Sequence, residues 1–214
     1  AESLSVYAQC IQDLHVDNLG VVGTRLLLTK IGILDVSLSF MERVIARFPC
    51  FACQGAASWG APSEKTVHCY AEYDVEVGSG PLAGALLREN GLRGPSGPPP
   101  RWLRATALPI SAFVNRELCA EFQLLEATCE ALARALAGSG YHESSRAQVH
   151  GSMQVLVTGA SCMSCVGAFR QFQLLWPGIR LSVGTVRVRG IAATFDDSGI
   201  FHSRGMVVQR ELGD

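Results

Sequence analysis

The 214-residue chain predicts a layered α/β domain. Three observations carry that reading. First, strand and helix patterns alternate through the second half: a strand over 102–108, a helix over 118–137, a strand over 153–157, a helix over 162–175 and a strand over 179–183. Second, the 118–137 segment has the most regular apolar period in the chain, with Leu118, Phe122, Leu125, Cys129, Leu132 and Leu136 in steps of four and three. Third, Val67, Cys69, Ala71, Tyr73, Val75 and Val77 alternate at strand period. Alternation of this kind implies some parallel pairing. Residues 179–212 leave little room for another long helix, so the last strands are expected to pair antiparallel, because a parallel crossover needs a dozen or more residues. The expected architecture is a three-layer α/β/α sandwich with a mixed sheet of about five strands. A helical extension over residues 1–60 is expected to pack on a core domain over 61–214.

Local chemistry sets the elements. Ser5–Leu14 is compatible with a short helix, and Asp17-Asn18-Leu19-Gly20 reads as a turn. Apolar residues at 36, 38, 41, 44, 45 and 48 predict a helix that Pro49 ends. Residues 54–64 read as a loop, as do 91–100, with three Gly and four Pro, and the polar stretch 141–150. Gly78–Pro81 reads as a turn. Gly138 and Gly140 stop the 118–137 helix, and Pro177-Gly178 stops the next. Val186–Thr194 and Met206–Leu212 are further strand candidates, with Asp196-Asp197-Ser198-Gly199 turning between them.

Composition excludes several classes. Hydrophobic residues make up 48% and charged residues 17%, so the chain is not of the disordered type. Net charge is -1, which gives no global basic field for nucleic acid and leaves room only for a local patch. No apolar run reaches the ~18 residues of a membrane helix, and no membrane partner is expected. Eight cysteines are too sparse for a small disulfide scaffold, so a reducing compartment, cytoplasm or nucleus, is expected, with a secreted toxin domain as the alternative.

Two cysteine pairs have Cys-x-x-Cys spacing: Cys50/Cys53 and Cys162/Cys165. Cys162-Met163-Ser164-Cys165 opens a helix directly after a strand, and Cys119-Ala120-Glu121 opens the strongest helix. Unpaired N–H groups and the macrodipole at a helix start favour thiolate. Positions 162 and 165 share one helical face, so both sulfurs can reach one ion. Three thiolates around a zinc ion leave a fourth position for water, the arrangement of a catalytic site. Glu121, two residues from Cys119, would then lie near that water as a proton carrier.

These residues resemble the zinc-dependent cytidine-deaminase-like superfamily, whose signature is a His or Cys with Glu two residues on, followed by Pro-Cys-x-x-Cys. The likeness runs over residues 66–195. It is carried by Cys119-Ala120-Glu121-Phe122-Gln123-Leu124-Leu125 and by the stretch from Ser161-Cys162-Met163-Ser164-Cys165 to Phe172. The segment Trp176-Pro177-Gly178-Ile179-Arg180-Leu181-Ser182-Val183 is similar to the stretch beyond the second motif in toxin-type and microbial-eukaryote members. The resemblance implies that Cys119, Cys162 and Cys165 hold zinc and that Glu121 shuttles protons. The implied reaction is hydrolytic deamination, in which water attacks the ring carbon bearing the amino group and ammonia leaves. Ser161 stands where the family usually has Pro, and Cys119 where His is commoner. Cys there is typical of free-nucleoside cytidine deaminases. Their Asn-x-Glu ribose pattern has only Asn115-Arg116-Glu117 as a nearby counterpart, immediately before Cys119. The expected substrate is therefore cytosine, ahead of adenine, in a nucleic acid (single-stranded DNA or RNA foremost) or in a nucleotide. Candidate substrate contacts are Asn115, Trp102 and Arg104.

Other readings of the same residues stay open. Cys119 alone fits a small core residue, and Glu121 alone a solvated helix-start carboxylate. A strand leading into Cys162-x-x-Cys165 also suits a thiol–disulfide redox protein, although no proline comes after Pro177 to serve beside the dithiol. A zinc-binding module without turnover would keep the cysteines and have no use for Glu121. Cys50 and Cys53 with His68 and Cys69 form a second possible metal group, but neighbours on a strand point to opposite faces. Arg88, Arg93, Arg101 and Arg104 with Trp102 form a candidate patch for single-stranded nucleic acid, against a solvated loop flank as the plainer reading.

Overall fold

The computed structural model describes residues 17–51, 66–78, 80–91, 99–106, 115–138, 140, 143–159, 161–186, 192–195 and 201–204. Helices α1 (Asp17–Lys30) and α2 (Leu38–Arg47) come first. A hairpin of β1 (His68–Val77) and β2 (Gly80–Glu89) is next. Then come α3 (Ala120–Gly138), β3 (His150–Val157), α4 (Met163–Leu175) and β4 (Ile179–Thr185). A separate antiparallel pair, β5 (Ala192–Phe195) and β6 (Phe201–Arg204), closes the described chain. The main sheet has the order β2-β1-β3-β4. β1 runs antiparallel to both β2 and β3, and β3 runs parallel to β4, so the sheet is mixed. Among the described residues it has four strands, against an expectation of about five.

The strand period sorts the core. Cys69, Ala71, Val75 and Val77 of β1 share a face with Met153, Val155 and Val157 of β3 and with Leu181 and Val183 of β4. Onto that face α3 lays Phe122, Leu125, Cys129, Leu132 and Leu136, and α4 lays Val166, Phe169 and Phe172, with Trp176 just beyond. Each such side chain contributes about 1.5–3 kcal/mol when fully buried. The opposite face carries Tyr70 and Leu156, and α2 covers them with Phe40 and Val44. Ser37 caps α2 by accepting from the Phe40 N–H, and both its N–H and hydroxyl donate to Gln154 Oε1. Residues 33–36 run along β4: Val183 N–H donates to Leu34 O at 2.9 Å, and Leu34 bridges Ser182 in parallel. A Cβ on Gly184 would strike Val36 and Leu156, so this close crossing needs glycine.

Two expectations are corrected, and one strand goes unmarked in the sequence. Asp17–Gly20 is the start of α1 rather than a turn, because Asp and Asn are favoured at helix starts as well as in turns. The sequence marks β2 only by its opening turn. That strand, rich in Gly and Ala and with Pro81, has low strand propensity, yet an edge strand tolerates this. Tyr73 pairs with Gly84, and its ring lies where a Cβ at 84 would be. The strand expected over 102–108 is absent over its described residues, 102–106, because side chains satisfy that backbone. Glu126 accepts the N–H groups of Arg101, Trp102 and Leu103. Gln171 pairs with both the N–H and the carbonyl of Arg104, at 2.8 and 2.9 Å. Ser5–Leu14, the 54–64 loop and Met206–Leu212 lie outside the described residues.

Burial of uncharged thiols has a consequence for alkaline stability. Burial pushes the Cys129 thiol up to about 12 from an ordinary 9.0, with only partial relief from the Trp176 indole N–H. Burial also raises Tyr70 and, much more, Cys69. For an acid whose folded pKa is raised, the folded chain keeps a proton that the unfolded chain loses. Stability is therefore complete below the unfolded value and falls as pH rises from 9.0 towards about 12. The urea midpoint should drop across that window, and Cys129→Val should flatten the slope.

Candidate metal centre

Two helix starts meet at the carboxyl end of β3. The 3₁₀ turn Arg116–Leu118 delivers Cys119 just ahead of α3, and Gln123 N–H donates to Cys119 O at 3.0 Å. The loop after Val157 delivers Cys162 as the N-cap of α4, with Cys165 one turn on. The Sγ atoms of Cys119, Cys162 and Cys165 all lie within 4.8 Å of one another, and those of Cys162 and Cys165 are 3.5 Å apart. Sulfurs bound tetrahedrally at ~2.3 Å from a zinc ion sit about 3.8 Å apart, so the donor set fits one such ion. Three soft donors suit zinc and other thiophilic metals alike. Cys165 is buried, while Cys119 and Cys162 are half-buried, so the cluster opens on their side.

Hydrogen bonding divides the charge unequally among the sulfurs. Hydrogen bonds from Cys119 and then Cys165 hold Cys162 far below the ordinary thiol range, helped by the Cys165 amide and by the charge of Arg116. Cys119 is raised, chiefly by its bond to Cys162. Cys165 is raised well above the ordinary value by its bonds to Cys119 and Cys162 and by burial.

Glu121 projects into the same place. It is 4% exposed, the one buried carboxylate among the described residues. Burial raises its pKa, and the charge at Cys162 adds to that. Its own backbone amide, the Ser161 hydroxyl and the Cys165 thiol pull in the opposite direction. Cys69 of β1 is close enough to feel the Glu121 charge.

Several groups that shape the site are not marked by any motif. Arg116 lies near enough to favour thiolate at Cys162. Ser164 Oγ, between the two α4 cysteines, accepts the Thr106 N–H at 2.9 Å and so ties segment 104–106 across the start of α4. Thr24 of α1 donates from Oγ1 to Ser161 O at 2.9 Å, across 137 residues. The only hint of Thr24 in the sequence is a polar residue within an apolar run. Thr24→Val should leave that carbonyl unpaired and cost about 1 kcal/mol, a fall in Tm of about 2–4 °C for a chain of this length.

The expected substrate contacts are spread more widely. Asn115 is exposed, and its Oδ1 accepts from Glu117 N–H, which shapes the turn that leads to Cys119. Arg104 is exposed and donates to Pro100 O, while its backbone is fixed on α4 by Gln171. Trp102 is half-buried at the far end of that segment, packed beside Trp176 with its indole N–H on Glu130 at 3.0 Å. The guanidinium groups of Arg101 and Arg146 stand over its ring, at 4.7 and 5.6 Å. The Trp102 ring is therefore already engaged by protein groups. Arg88 lies on β2 with its guanidinium donating to Leu87 O, and Arg93 lies outside the described residues. The second possible metal group does not assemble among the described residues, where Cys69 is buried on β1 and His68 faces Glu89 at 3.7 Å. Cys53 lies outside them.

No family model, curated protein or solved structure matches this chain.

Proposed function

We propose that the chain is a zinc-dependent hydrolytic deaminase that converts cytosine to uracil, in single-stranded DNA or RNA or in a nucleotide. The observation that carries this reading is the buried Glu121 carboxylate set against a three-cysteine cluster built from two helix starts. A purely structural metal site does not need a desolvated carboxylate, which stabilises nothing and is costly to bury. A proton carrier does need one, because burial moves a carboxyl towards the range where it can both take and give a proton near neutral pH. A zinc ion held there would supply a Lewis acid that turns water into a nucleophile near neutral pH.

The residues then divide the work. Cys119, Cys162 and Cys165 hold the ion, and Cys119 and Cys162 leave one side open. Glu121 removes a proton from the attacking water and delivers it to the nitrogen that departs as ammonia. Arg116 partly offsets the net negative charge of three thiolates on a dication. Segment 104–106 is tied to Ser164 and Gln171 of α4, and Arg104 is kept as a proposed substrate contact. A third layer and a fifth strand complete the proposed fold.

Zinc per chain and deamination of cytosine in single-stranded DNA, RNA and free cytidine form the test. One zinc with cytosine-to-uracil conversion is expected. Freshly reduced protein without metal would sink this reading in favour of dithiol chemistry at Cys162/Cys165, whose sulfurs are 3.5 Å apart. Zinc without turnover would leave a binding module of the same fold. Among the described residues, no helix is long and apolar enough to cross a membrane.

A further inference from the structure

Among the described residues, Ser161 carries the one buried side-chain oxygen that has no hydrogen-bond partner. The residue is 4% exposed, directly precedes Cys162, and its hydroxyl lies near enough to the Glu121 carboxylate to lower that group's pKa. Its position is fixed from behind, since Thr24 Oγ1 holds its carbonyl at 2.9 Å and Val166 N–H holds the next carbonyl, that of Cys162, at 2.9 Å. A buried hydroxyl normally finds a partner, and one without marks a place where a water or ligand belongs. A hydroxyl offers one donor and two acceptor positions. Glu121 is within reach of the donor, while the lone pairs receive nothing from the described residues.

We infer that Ser161 Oγ accepts a hydrogen bond from the exocyclic amino group of the base substrate. This deepens the deaminase reading and rests on it. The nitrogen that leaves must sit beside Glu121 to receive its proton, and Ser161 is the neighbouring group with a free acceptor. A proline, the residue the family usually has here, has no side-chain acceptor to offer. Ser161 thus supplies an additional contact that favours rings bearing an amino group.

The test reads binding rather than turnover. Zinc-loaded Glu121→Gln protein is titrated with a single-stranded oligonucleotide carrying one cytosine, and with the same strand carrying pyrimidin-2-one, which lacks the amino group, in that position. With Ser161 present, cytosine should bind about tenfold more tightly. Ser161→Ala in the same background should remove that preference, and Ser161→Thr, which keeps the hydroxyl, should retain it. Zinc content and Tm of each variant identify any that has merely lost the site, and the Thr variant then decides. An equal preference in the Ala variant overturns the inference while leaving a deaminating wild type intact. A wild type that neither binds nor deaminates cytosine in DNA, in RNA or as free cytidine overturns the proposed function, and the inference with it.

Discussion

Glu121→Gln should abolish deamination while leaving one zinc per chain. Gln keeps the shape of the side chain and removes its ability to take and return a proton. Loss of a positioned acid–base group costs about 10²–10⁴ in rate, and under the proposed mechanism Glu121 serves both the attack and the departure of nitrogen, so the upper part of that range is expected. Stability should behave in the opposite way to a core lesion. The carboxylate is 4% exposed and is raised by burial, so the fold bears the cost of keeping it dry. An amide avoids most of that cost, and Tm should stay level or rise. Full activity in this variant, measured beside its zinc content, would defeat the mechanism. A fall in Tm with loss of zinc would mean that Glu121 has a structural role instead.

Cys162→Ala should release the metal and loosen the whole fold. Cys162 is one of the three sulfurs that converge, and hydrogen bonds from Cys119 and Cys165 lower its pKa. An ion bound only by the folded chain adds about 2.7 kcal/mol when present at a hundred times its dissociation constant. For a chain of this length that corresponds to a fall in Tm of about 5–10 °C on losing it. A chelator should reproduce the fall in wild-type protein and add nothing further in the variant. If the chelator leaves wild-type Tm unchanged in fresh reduced protein, no ion supports the site. Reaction of Cys162 and Cys165 with a mild disulfide would then be the informative measurement.

Much of the frame is legible in the chain alone. The steps of four and three from Leu118 to Leu136 give α3 to within two residues at its start and one at its end, because a helix buried along one face must repeat its apolar residues at that interval. The alternation from Val67 to Val77 gives β1, and the apolar run at Met153 gives the buried part of β3. The antiparallel ending is legible from chain length alone, though β5 and β6 begin and end elsewhere than expected. β2 is not legible, because an edge strand of glycine and alanine has no strong pattern and is fixed by Tyr73 and its ladder partners. Segment 102–106 misleads because its apolar residues suit a strand, and only the distant Glu126, Gln171 and Ser164 take up its backbone groups.

By itself the sequence determined the period of each buried face, the placing of three cysteines and one glutamate at two helix starts, and the resemblance those residues carry. Such features depend on spacing along the chain, which needs no knowledge of what lies across from it. Tertiary structure alone decided that the three sulfurs come within 4.8 Å of one another, that Glu121 is buried against them, and that Thr24 holds Ser161 while its hydroxyl is left unpaired. Distance, burial and hydrogen-bond satisfaction are properties of pairs far apart in sequence, 137 residues for Thr24 and Ser161, and only folding brings such pairs together.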